Sequence, residues 1–83
     1  MNAQSFKISE VEGIDQLRER ILGQRIKIFY QDVTELFRNP LRVLGVSATE
    51  IEGRKMYKVT VEGVSFSYIV GNGSDYSIEV YED

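Results

Sequence analysis

The sequence predicts an α+β domain: one amphipathic helix with a four- to five-stranded antiparallel meander, built as an open sheet or a small partly closed barrel. Three observations carry this. Ile14, Leu17, Ile21 and Leu22 recur with helical period; from residue 24 the apolar period switches to two; and glycines at 53, 63, 71 and 73 interrupt the alternating stretch at hairpin intervals.

Residues 9–23 read as the helix. Ser9-Glu10-Val11-Glu12 has the spacing of a capping box, Gly13 makes a start nearer Ile14 an equal alternative, and Gly23 supplies a C-terminal stop. Asp15, Gln16, Glu19 and Arg20 fall on the other face, so the helix should lie across an apolar surface with its polar side in water. A first strand follows at 24–31, with Ile26, Ile28 and Tyr30 on one side and Arg25, Lys27 and Phe29 on the other. Residues 32–35 repeat a capping spacing, which predicts a short helix at 32–38 with Leu36 and Phe37 as its apolar side and Asn39-Pro40 as its end.

Four further strands are predicted near 41–51, 55–62, 64–70 and 75–82. Tyr57, Val59 and Val61, then Val64, Phe66, Tyr68 and Val70, then Tyr76, Ile78 and Val80 form the expected core face. Lys58, Thr60, Ser65, Ser67, Ser77 and Glu79 form the wet one. Glu52-Gly53-Arg54 and Gly71-Asn72-Gly73-Ser74 read as hairpin turns and Glu62-Gly63 as a tighter corner, connections too short for parallel crossovers. One domain over 1–83 is expected, and the open sheet is preferred because an amphipathic helix needs a sheet face to cover. The order of a helix followed by bent strands beginning LGQRIKIFYQ resembles that of the small Sm-like and SH3-like barrels, although DVTELFRNP replaces the glycine and aspartate pattern after their first strand, and no site is carried over.

Composition sets the functional class. The 83 residues contain no histidine, cysteine or tryptophan. The side chains that do most acid-base, nucleophilic and metal-ligating work at neutral pH are therefore missing, which points away from an enzyme and from any metal or cofactor and toward binding. No disulfide or zinc can staple a fold this small, so self-association into a homodimer is an expected source of stability. Hydrophobic residues at 42% and charged residues at 28% describe a folded chain. No apolar run approaches the roughly 18 residues that cross a bilayer. MNAQSFKISEVEG lacks the basic patch and apolar stretch of a secretion signal, so a cytoplasmic protein with no membrane partner is expected.

The net charge of −3 conceals an asymmetry: residues 18–58 carry nine bases against five acids, whereas 59–83 carry five acids and no base. Arg25, Lys27, Arg42 and Lys58 form a candidate anion-binding set, and with Phe29 interleaved they could track single-stranded nucleic acid. An acidic pI near 4.9 opposes that reading. Glu50 and Glu52 are the one carboxylate pair that could share a cation, but a solvated hairpin tip explains them better, as helix capping explains Asp32 and Glu35. The glycine-rich run at 71–74 precedes a strand, not a helix, so it is a turn and not a phosphate loop. The leading expectation is a non-enzymatic protein-binding module or self-associating adaptor using outward apolar residues Phe29, Met56, Ile69 and Tyr81.

Overall fold

The computed structural model describes residues 3–71, 73 and 75–81, and for Ala3 the backbone alone. Its strands are β1 (Ala3–Lys7), β2 (Arg25–Tyr30), β3 (Thr34–Glu35), β4 (Leu41–Ile51), β5 (Arg54–Val61), β6 (Ser67–Gly71) and β7 (Tyr76–Tyr81), with the helix α1 at Ile14–Ile21. All pairings are antiparallel, in an open sheet of order β1-β7-β2-β4-β5-β6, with β3 beside β2. The α+β class and the open sheet agree with expectation. Seven strands exceed the four to five predicted.

The two extra strands had weak local signals. β1 has one strong apolar residue, Phe6, and is a strand because it pairs with β7 along its whole length. The short helix expected at 32–38 is instead a turn and β3. Gln31 and Asp32 both have positive φ, 53° and 62°, and send the chain back antiparallel to β2, where Phe29 pairs with Glu35. Leu36 continues this ladder by donating its N–H to the Ile28 carbonyl at 2.9 Å, and 37–40 bulge away before β4 resumes beside β2. The capping spacing was matched; the backbone at Asp32, in the left-handed region, cannot begin a helix.

The helix is shorter than 9–23. A 3₁₀ turn at Ile8–Glu10 precedes it, held by the Glu10 carboxylate accepting the Lys7 N–H at 2.8 Å, so Ser9 does not cap α1. At the other end Gly23, with φ 80°, turns the chain, and its N–H donates to the Val43 carbonyl while the Val43 N–H donates to the Gln24 carbonyl. These bonds tie the end of α1 to β4. Leu17 and Ile21 are fully buried, whereas Leu22, assigned to the apolar face by spacing, is 43% exposed because the helix has ended. β4 runs on past β2, which leaves backbone acceptors on that side, and Arg18 answers one by donating Nε and Nη2 to the Val46 carbonyl at 3.3 and 3.1 Å.

The core joins Phe6, Ile8 and Val11 to Leu17 and Ile21 of α1 and to Ile26, Ile28, Val43, Val46, Tyr57, Val59, Val61, Val70 and Ile78 of the sheet. The predicted faces hold for β5 and for Val70 and Ile78. Two assignments fail: β6 begins at Ser67, so Phe66 lies before it and is 59% exposed, and Ser77 is buried at 6%. Ser77 tolerates burial because its hydroxyl donates to Asp32 at 3.1 Å.

The largest correction concerns the last strand. β7 does not pair with β6 across a hairpin; it inserts between β1 and β2 on the other side of the sheet. Asn72 and Ser74 of the expected turn lie outside the described residues. β7 is therefore an interior strand, with a neighbour on each side.

Candidate interaction edge

An open sheet ends in two edge strands, here β1 and β6, whose outer backbone groups have no strand to pair with. They differ in chemistry. β1 is blunted: Gln4 and Ser5 are polar and exposed, and Lys7 holds Asp32 in an ion pair of 3.3 Å. β6 reads Ser-Tyr-Ile-Val-Gly and has neither charge nor proline. It lies in a stretch, residues 63–74, with no charged residue at all, bounded by Glu62 and Asp75.

Register places the side chains around this edge. Lys58 stands opposite Ile69, Met56 opposite Gly71, and Thr60 opposite Ser67, where the two hydroxyls hydrogen-bond at 2.7 Å. These residues share the face of β5 and β6 turned away from the core, with Ser47 and Thr49 of β4 beyond them. No acid stands in these rows. Arg54, Lys55 and Lys58 are exposed and make no ion pair. On the core side of the same strand Tyr68 is half-buried, its ring 5.1 Å from Phe37 and 5.2 Å from Phe66. Ile69 is 37% exposed.

The structure divides the expected partner-binding residues into two groups. Met56 and Ile69 line an open groove of about 560 Å³ together with Tyr30, Tyr76, the bases Arg54 and Lys55, and the acid Asp75. Phe29 and Tyr81 are half-buried on β2 and β7, at opposite ends of a separate face and divided by the row of Lys27 and Glu79. The Tyr81 hydroxyl donates to the Glu79 carboxylate. That bond, followed by burial and the nearby negative charges of Glu79 and Glu35, raises its pKa from 10.0 to about 12.

The expected anion-binding set is divided too. Arg25 and Arg42 stand opposite one another in the short β2–β4 ladder, but Arg42 spends Nη1 on the Gly23 carbonyl at 2.6 Å. Lys27 is neutralised by Glu35 at 2.8 Å. Lys58 sits on β5, on the other side of β4. Glu50 faces Lys55 across the β4–β5 ladder while Glu52 occupies the turn with φ 52°, so the two carboxylates do not converge. Among the described residues no three metal-ligating side chains cluster, and no helix is long and apolar enough to cross a membrane.

Sequence reasoning put Met56 and Ile69 on the outward face, where the register has them, and Tyr68 on the core face, where it packs; of these residues strict alternation misassigned only Phe66, which precedes β6 and is 59% exposed. The charge-free run at 63–74 was the available signal. No family model, curated protein or solved structure matches the chain.

Proposed function

We propose that this chain is a non-enzymatic protein-binding module that receives an extended segment of another polypeptide, a second copy included, along β6. The observation that carries the reading is the edge itself: five residues without charge or proline, among them the half-buried Tyr68 and the part-exposed Ile69, preceded by the exposed ring of Phe66. Strand addition satisfies the outer N–H and C=O groups of such an edge with main-chain hydrogen bonds and takes specificity from alternate side chains. The cysteine-free composition fits the cytoplasmic setting we assign to it. The single-stranded nucleic-acid alternative is weaker, since Lys27 is already paired with Glu35 and Arg42 donates to the Gly23 carbonyl.

Selection of binders from a library of extended random peptides tests the proposal. Amide shifts in the chain should fall on 67–71 and be lost with Ile69→Lys, which places a charge on the edge without touching the buried core. Footprints confined to β1 or to the Arg25 face would refute it. So would single-stranded oligonucleotide binding that weakens steeply with salt and maps to this face.

A further inference from the structure

We propose that the occupant of this edge is an acidic extended peptide in which carboxylate residues alternate with apolar ones. The inference rests on the strand-addition reading and deepens it.

A strand added to β6 has two faces, because successive side chains point to opposite sides. On the side turned from the core, its residues lie beside Ser67, Ile69 and Gly71, one strand removed from Thr60, Lys58 and Met56. Lys58 is opposite Ile69, exposed, without an ion pair, and no acid stands among the β4, β5 and β6 residues of that face from Gly45 to Gly71. Its long stem can run across Ile69 and present the ammonium to a carboxylate on the incoming strand. Arg54 stands two rows further along the same strand face. Gly71 has no side chain to screen the approach. On the core side the incoming residues meet Tyr68 and Phe66, whose rings form an edge-on pair 5.2 Å apart with Phe66 largely in water. Apolar or aromatic side chains belong there. The two requirements alternate with the strand period, so the pattern is acidic, apolar, acidic, apolar.

Charge favours the acidic peptide over the other occupants of this surface. A second copy paired antiparallel about Ile69 brings its own Lys58 and Arg54 to the same face and supplies no carboxylate in register with them. A nucleic-acid strand answers the bases but leaves the β6 amides and carbonyls unpaired.

The test uses the full chain and three blocked hexapeptides: glutamate alternating with valine, lysine alternating with valine, and the first composition with its glutamates in one block. At about 0.01 M salt the alternating acidic peptide should bind roughly tenfold more tightly than the lysine peptide, with the margin shrinking at about 0.15 M as screening shortens. Its amide-shift footprint should cover 67–71 and Lys58. Lys58→Glu, a change on an exposed side chain, should reverse the order of the two alternating peptides. Equal affinities at both salts, with footprints still on β6, would overturn the charge inference and leave the edge reading intact. A block peptide that binds as well as the alternating one overturns the pattern. If no peptide perturbs β6, the edge reading itself falls.

Discussion

Replacing Leu17 by alanine tests the joint between α1 and the sheet. Leu17 is 0% exposed, sits at the middle of the helix, and packs in the same cluster as Ile21, Val43 and Val46. The truncation removes three carbons from a site enclosed by β4 on one side and by Ile8 and Val11 on the other, and the backbone cannot collapse into the void because the Gly23 and Val43 bonds fix the end of the helix against β4. The loss should therefore fall at roughly 3–4 kcal/mol, within the range for buried leucine. A domain of this length has about 4–12 kcal/mol in total. Leu22→Ala, at 43% exposure one residue beyond the helix, should cost less than about 1 kcal/mol. Urea unfolding followed by far-ultraviolet circular dichroism reads both midpoints. Equal losses in the two variants would refute the placement of the helix, and a loss for Leu17→Ala below about 0.5 kcal/mol would mean that this face is not buried.

Asp32→Ala should cost about 1–2 kcal/mol, because it strands the buried Ser77 hydroxyl and removes a side chain suited to the left-handed backbone there; Lys7→Ala, which breaks only the exposed ion pair, should cost under about 0.5 kcal/mol, and equal effects would show that the ion pair holds the turn. Glu52→Asn should gain about 0.5–1 kcal/mol, since a two-residue turn with φ 52° and 79° suits Asn-Gly better than Glu-Gly, and a loss in urea titration would count against that turn. The Tyr81 phenol ionises near 12 in the folded chain against 10.0 unperturbed, so the neutral form is favoured by folding; its contribution is whole below about pH 10 and is lost as pH rises toward 12. Near-ultraviolet titration should show this late component disappear in Tyr81→Phe and move down in Glu79→Gln.

Local pattern revealed what local forces decide. β4 was legible in its bounds because the chain from Leu41 runs without a break to the Glu52-Gly53 turn, although a bulge between Val43 and Gly45 breaks its alternation, and β2 because Ile26 and Ile28 switch the period immediately after Gly23. β1 and β3 were not, because neither holds itself together: one exists by pairing with a strand more than seventy residues away, the other by a turn that puts Gln31 and Asp32 at positive φ. The same limit explains the misplaced β7. Its alternation put Tyr76, Ile78 and Val80 on the core face correctly, but pairing partners are a property of the whole sheet, and the short connection from β6 suggested a hairpin that the chain does not make.

Moving β7 to the interior changes where the molecule can meet a partner. Tyr81 is a half-buried donor to Glu79, and Glu79 lies on the interior strand beside β1. β6 is left as an edge with no charge of its own, with Arg54 and Lys58 on the strand behind it. The charge asymmetry along the chain thus becomes an asymmetry across the sheet: Glu79 of β7 lies in register with Lys27 of β2, while Arg54 and Lys58 on β5 have no acid in register beside them. A strand carrying its own carboxylates would complete at β6 the arrangement that β7 supplies internally at β2.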